Sequence, residues 1–468
     1  MNTILKRTIC IILTVLVAIG GLWYMDGVLK LKRVDGILTM QDFYAQPEGS
    51  VDLLMVGNSH AGCNIDTATL WRDHGIASYN LWGGVQPLWN SYHFIIEALK
   101  YQEPQLIILE ITPTVSDYEY SEQQNQIKNI VGMRPSLNKW EAVKVSAEKD
   151  DWFNLMLGFP MYHNRFDDLE MEDFSNFPWS DGLENFKGSY LLYGVGNYEF
   201  ESAEGVTECR EIMYKQEEYL RKCIELCQER GIDILLLKTP ALERTREQEI
   251  YNSVGLIAEE YAVPFINMNL MDEEVGITAQ DWSRDRHMNG SGARKVAAWL
   301  GEYLSENYQL PDRRGETGFE SWDINAAVID NDYIAAIEDA SDYFVELSRG
   351  SKEVLIIKNQ PSEKNDSYSA FVEKLSMLCD SPELLEGSHN TVLSGLPSSQ
   401  IEGDVHSYEL GGHQLTVNFE YQDVSFNGKQ VLWFGSSDFA VVVYDAVTDS
   451  IIDSAVFTLS NGYALQRA

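Results

Sequence analysis

Apolar residues in this chain follow two periods. Short apolar runs bounded by turn residues recur at Val51–Val56, Ile76–Leu81, Gln105–Ile111, Ile232–Leu237 and Val263–Met268, and each predicts a buried strand. Between them the spacing becomes helical. Trp89, Tyr92, Ile95, Ile96 and Leu99 share one face of a helix predicted over Pro87–Lys100, which Pro104 ends. Further helices are predicted over Thr207–Gly231, stopped by its glycine, over Arg244–Tyr261, and from roughly Gly292 to Glu306. Strands alternating with helices predict an α/β fold, a parallel sheet flanked by helices.

The pattern breaks in four places. Residues 115–205 are polar and aromatic, and are expected as an insertion over the active edge of the sheet. Residues 309–325 carry Pro, Gly and mixed charge and are expected as a linker. Beyond it, Val354–Lys358, Phe439–Tyr444 and Ile451–Phe457 predict strands and Phe371–Cys379 a short helix, so residues 326–468 are expected as a β-rich domain. At the start, Lys6 and Arg7 precede an uncharged run from Thr8 to Met25, with Trp23 and Tyr24 at its far end. That run is long enough to cross a bilayer as a helix, and interfacial aromatics suit its end. A cleaved signal peptide with a small-residue site at Ala18-Ile19-Gly20 is the alternative. The favoured partition is a cytoplasmic N-terminus at 1–7, a transmembrane signal anchor at 8–25 and a stem at 26–45. The α/β domain then spans 46–308, with the bulk of a single-pass chain outside the cell membrane.

Charge narrows the partners. The net charge is −37, from 72 acidic against 35 basic residues, which would repel nucleic acid and anionic membrane surfaces. The six cysteines form no CxxC pair or His/Cys cluster, so neither a metal nor another cofactor is expected.

The chemistry is sought at the carboxyl ends of the strands. The stretch Val51–Asn64, VDLLMVGNSHAGCN, puts Ser59 where a strand turns into a helix. A serine hydroxyl needs a base, commonly a histidine held by a carboxylate. Among the 8 histidines, His60 adjoins Ser59 and leaves the backbone in another direction. His287 stands in a loop before a helix, with Asp285 two residues and Asp281 six residues before it. Plain structural roles compete: Ser59, Asp285 and Asn289 are all residue types that cap helices.

Gly57-Asn58-Ser59-His60 after a strand, and Asp285-Arg286-His287-Met288-Asn289 near the end of the same domain, resemble the SGNH/GDSL hydrolase superfamily. The resemblance is to its membrane-anchored, extracytoplasmic branch, which includes teichoic acid D-alanine-transfer and alginate O-acetylation proteins. PMYHNRF and FKGSYLL resemble that branch's insertion. The resemblance implies a flavodoxin-like three-layer fold with Ser59 as nucleophile, His287 as base and Asp285 as its orienting acid, Asp281 being the runner-up. It implies an oxyanion hole from the backbone of Ser59 and of Gly83 or Gly84. Two departures stand out. Arg284 occupies the place three residues before His287 where the family has Asp, and the central strand ends Leu109-Glu110-Ile111-Thr112 without the Asn that its third block brings. His163 and Arg165 are candidate substrate-binding residues, with salt bridges to neighbouring acids as the competing role. FAVVVYDAVTDSIIDSAVF resembles the last hairpin of the lectin-like domain of interleukin-like EMT inducers. The implied function is an extracytoplasmic serine esterase or O-acyltransferase acting on a cell-surface glycan, with a membrane-bound O-acyltransferase as partner. The other expectation is a catalytically silent glycan-binding or scaffold protein.

Overall fold

The computed structural model describes residues 3–467 except 176, 178–186, 197, 199–201, 243–244, 350–351, 360–364, 380–390 and 394–399. Phe186 of FKGSYLL and Arg244 at the head of a predicted helix lie outside the described residues. The chain divides into two compact units, Met1–Asn325 and Ala326–Ala468.

The first unit is built on a five-stranded parallel sheet: β1 Leu53–Gly57, β2 Ser78–Trp82, β3 Leu106–Glu110, β4 Asp233–Lys238 and β5 Phe265–Asn267, in the order β2-β1-β3-β4-β5. Every residue of β1, β2 and β3 is buried. Continuous apolar runs are what a sheet covered on both faces requires. Leu53, Met55, Ile108, Leu235 and Leu237 pack on one face against Val296, Leu300 and Leu304 of the helix Gly290–Asn307. The helices Leu88–Ala98 and Tyr214–Arg230 pack on each other and against β1 and β4. Each aliphatic side chain so withdrawn from water contributes about 1.5–3 kcal/mol. The strand order reverses at β1, and in such sheets ligands bind in the crevice at the carboxyl ends beside the reversal. Ser59, Gly83, Glu110 and Lys238 all stand at that edge, just past or at the ends of β1 to β4.

Three segments differ from expectation. Residues 26–45 form no free stem. The first helix runs on to Leu29, and a second helix, Ile37–Ala45, buries Ile37, Met40 and Phe43 completely. Their spacing makes an apolar stripe, and the Tyr79 hydroxyl on β2 donates to Thr39 O and Asp42 Oδ2 beside it. Residues 309–325 are packed down. Arg313 pairs with Asp52 at 2.9 Å, and the buried Trp322 indole donates to Ser78 O at 3.2 Å with Lys187 Nζ 3.7 Å from its ring. The helix expected from Thr207 begins only at Tyr214. Asn252 Nδ2 and Ser253 Oγ take the carbonyls of Val206, Glu208 and Arg210, holding that segment against the neighbouring helix. The insertion carries the short helices Gln123–Ile130, Leu137–Ser146, Trp152–Leu157, Phe159–Tyr162 and Met171–Ser175. Leu5–Leu29 of the first helix, 25 residues, is long and apolar enough to cross a membrane.

The second unit holds two five-stranded antiparallel sheets. One contains β6 Glu353–Lys358, β7 Thr391–Leu393, β13 Phe439–Asp445, β14 Ser450–Phe457 and β15 Gln466–Arg467; the other contains β8 Gln400–Glu402, β9 Val405–Leu410, β10 His413–Asn418, β11 Asp423–Phe426 and β12 Lys429–Trp433. All of β13 is buried. Ala440, Val442 and Tyr444 join a core with Leu415, Val417 and Val424 of the second sheet. Phe439, Val441 and Val443 join another with Phe344 and Phe371 of the helices Ala340–Leu347 and Asp366–Leu375.

Candidate active site

Ser59 opens a short helix, Ser59–Cys63, directly after β1. Asn58 caps it, its side-chain Oδ1 accepting the His60 N–H at 2.9 Å. Gly62 allows the helix to sit against β2: a Cβ there would lie 2.1 Å from Cε2 of Trp82, whose indole donates to Gly188 O at 2.6 Å. The Ser59 amide, as the first of the helix, has no intrahelical acceptor.

His287 reaches Ser59 from a tight loop. Trp282 and Met288 form an antiparallel bridge, the Ser283 N–H donates to His287 O at 2.8 Å, and Arg286 takes a left-handed φ of 65° at the bend. Across 228 positions of sequence, Ser59 Oγ and His287 Nε2 stand 2.8 Å apart. His287 Nδ1 lies 3.1 Å from the main-chain oxygen of Asp285. A carbonyl only accepts, so Nδ1 carries the proton and Nε2 presents its lone pair to the serine hydroxyl. Burial lowers the His287 pKa below the ordinary imidazole value; the hydrogen bond to the Asp285 backbone and the Asp285 charge oppose this, and Lys238 adds to it. The ring is therefore neutral at pH 7 and able to accept a proton.

Asp285 thus meets His287 through its backbone. Its side chain is exposed, and no described residue donates to its carboxylate. Asp281 is buried and otherwise engaged. Its carboxylate accepts from Thr278 N, Thr278 Oγ1 and Ser291 Oγ and pairs with Lys295 Nζ at 2.7 Å, fixing the start of the helix Gly290–Asn307. Gly83 and Gly84 follow β2 beside Asn129, whose Nδ2 donates to Gly84 O at 3.1 Å. Glu110 is buried at the end of β3 and accepts from Thr112 N and Oγ1. His163 is exposed, its Nδ1 2.7 Å from Pro160 O. Arg165 donates to Leu29 O and Lys30 O at 2.6 and 3.0 Å and pairs with Asp173, so its guanidinium closes the end of the first helix.

A layer the sequence reading missed supports His287. The His60 ring lies 5.0 Å from the His287 ring, and its Nδ1 faces Asn64 Nδ2 at 3.1 Å. The same amide donates to Thr239 Oγ1 and Pro240 O, while Asn64 Oδ1 accepts the Met288 N–H at 3.2 Å. Asn64 therefore ties the Ser59 helix to the loop after β4 and to the His287 loop. The two hydrogens of that amide are shared among three neighbours, and the His60 ring is neutral because its pKa is lowered. Burial, then the charge of Lys238, holds its pKa well below the ordinary value. Burial also pushes the Cys63 thiol up to about 12, which removes it as a competing nucleophile. The one signal for this layer was the pair His60 and Asn64, four positions apart and so on one face of the helix after a buried strand. Among the described residues no group of three or more His, Cys, Asp or Glu could hold a metal ion.

The pair can move a proton from Ser59 Oγ to His287 Nε2 as Oγ attacks an electrophilic carbonyl. No family model matches the chain, and no curated protein matches it in sequence. Among solved structures it is similar to a Bacteroides fragilis protein provisionally described as an acylhydrolase, at 10% identity and a TM-score of 0.29, over 60% of this chain and 98% of that one.

Proposed function

We propose that this chain is a serine esterase or O-acyltransferase working through an acyl-Ser59 intermediate. The observation that carries the reading is the 2.8 Å contact between Ser59 Oγ and His287 Nε2, with His287 Nδ1 3.1 Å from the main-chain oxygen of Asp285. In the first half-reaction Oγ bonds to the acyl carbon while Nε2 takes the hydroxyl proton. The donor's C–O bond then breaks, and the leaving oxygen takes that proton from Nε2. In the second half-reaction Nε2 deprotonates water or an acceptor hydroxyl, which attacks the acyl carbon and releases Ser59 with its proton restored. The N–H groups of Ser59 and of Gly83 or Gly84 are the proposed oxyanion donors.

The acceptor we favour is a hydroxyl of a cell-surface glycan, with acetyl as the acyl group. The β-rich second unit would serve as a glycan-binding module or spacer, and a membrane-bound O-acyltransferase would supply the acyl group. The absence of an asparagine after the central strand and the irregular Asp spacing before His287 favour a second reading, a catalytically silent glycan-binding or scaffold protein of such a system. Hydrolysis of p-nitrophenyl acetate by the full chain, beside Ser59→Ala, separates the two. Activity lost in the variant, with a fluorophosphonate adduct on Ser59 of the parent, is expected for the enzyme. A rate at background, or one unchanged in Ser59→Ala, overturns it.

A further inference from the structure

We propose that the short helices of residues 152–175 form an apolar collar that rests in the headgroup layer of a zwitterionic bilayer, around the end of the first helix. This rests on the reading of Leu5–Leu29 as a membrane span. At 1.5 Å per residue those 25 residues measure about 37 Å, somewhat more than the roughly 30 Å hydrocarbon layer, so the last turns emerge at the interface.

Those last turns are clamped by the collar and by Phe177 just after it. The Phe177 ring lies 5.0 Å edge-on to Trp23 and 5.5 Å from Tyr24, and it occupies the space a side chain at Gly27 would need. The Tyr162 hydroxyl bonds the Asp26 carboxylate. Arg165 takes the terminal carbonyls of Leu29 and Lys30, and Lys32 Nζ donates to Asp173 O at 2.7 Å. The segment bound so closely to the interfacial end of the span keeps large apolar side chains in the open: Phe153 is 68% exposed, Phe166 65% and Met171 82%, with Leu157 and Phe174 also exposed. Water is a poor solvent for such a group of side chains, and large exposed apolar patches mark contact sites. The helices Phe159–Tyr162 and Met171–Ser175 pack on the first helix, where Leu22 to Met25 are themselves exposed and apolar, and this makes the bilayer the occupant. Asp167, Asp168, Glu170 and Glu172 lie within the same segment, which favours zwitterionic over anionic headgroups.

The membrane end of the first helix bears on the site through the chain that follows that helix. Only seven positions separate Leu29 from Gly36, a reach of at most about 25 Å. At Gly36 a Cβ would lie 3.2 Å from Gly83 Cα, and Asp35 pairs with Lys128 at 3.1 Å beside that turn. The carboxyl edge of the sheet, where Ser59 stands, is thereby held close to the membrane surface, so its substrates would be met there.

The test uses the full chain in phosphatidylcholine vesicles, with the photo-crosslinker p-benzoylphenylalanine placed singly at position 153, 166 or 171. Position 16 in the span is the anchor control, and position 256, on the exposed side of the helix Thr245–Tyr261, is the aqueous control. Lipid adducts at 153, 166 and 171 comparable to those at 16, with none above background at 256, are expected. Adducts at 16 but none at the three collar positions overturn the collar and leave the anchor standing. Collar adducts to a second copy of the chain instead of lipid also overturn it. Absence of lipid at 16 overturns the anchor reading and the collar with it.

Discussion

Replacing Asp285 by asparagine separates two ways of holding a catalytic imidazole. Where a carboxylate itself grips Nδ1, its loss in a serine triad costs about 10⁴-fold in kcat. Here Nδ1 bonds the main-chain oxygen of Asp285, which every side-chain substitution leaves in place. What Asp285→Asn removes is the through-space attraction between an exposed carboxylate and the imidazolium formed during the reaction. A unit charge on the order of 6 Å away in water-like surroundings contributes about 0.7 kcal/mol, or roughly threefold in rate. The assay is kcat/KM for p-nitrophenyl acetate, compared across the parent, Asp285→Asn and His287→Ala. Asp285→Asn should lose only about threefold, and 1 M salt, with a screening length of about 3 Å, should erase most of that difference. His287→Ala should lose about a thousandfold or more. A thousandfold loss in Asp285→Asn that persists in salt would refute the backbone assignment, because it would mean that the carboxylate turns onto Nδ1 during the proposed reaction.

Three further outcomes are expected. Because burial lowers the His287 pKa and only its neutral form accepts a proton, the acid limb of kcat/KM should reach half-height below pH 6.5; Lys238→Met, removing a nearby positive charge, should move that limb upward, and a parent limb at or above 6.5 would contradict the assignment. His60 has a folded pKa below its unfolded value, so the unfolded state binds more protons as pH falls past about 6.5 and stability drops by up to about 1.4 kcal/mol per pH unit; urea unfolding at pH 7 and pH 5 should show His60→Gln to be less acid-sensitive than the parent, and equal sensitivity would count against a neutral His60. Trp322→Ala should cost about 3–5 kcal/mol of stability in the first unit, read by chemical denaturation, whereas a loose linker at 309–325 would give almost no change.

The parallel sheet was legible because strands covered on both faces must be apolar throughout, and Leu53 to Val56, Leu106 to Leu109 and Ile234 to Leu237 are. The meeting of Ser59 with His287 was legible because each stands in polar sequence just past a strand or before a helix, where an α/β sheet gathers its loops. The manner in which His287 is held was not. A bond to a main-chain carbonyl leaves no residue signature, and the bend that permits it uses Arg286 at positive φ, where glycine or asparagine would have been a sign. The packing of residues 26–45 was obscured by mixed charge around the stripe Ile37, Met40 and Phe43. In the second unit, β9 to β12 went unread because VHSYEL and HQLTVN mix polar and apolar positions. Their turns did carry a signal: Gly411-Gly412 joins β9 to β10, and Asn427-Gly428, with φ of 51° and 77°, joins β11 to β12.

Strand β13 belongs to both cores of the second unit, with alternate side chains committed to opposite sides. Neither the helical layer nor the second sheet can peel away without stripping half of that strand's contacts. Partial opening is therefore costly, and the layers should melt together in one transition. The amides of Val441 to Val443 should be among the slowest in the unit to exchange with solvent deuterium, because their exposure requires the whole unit to come apart.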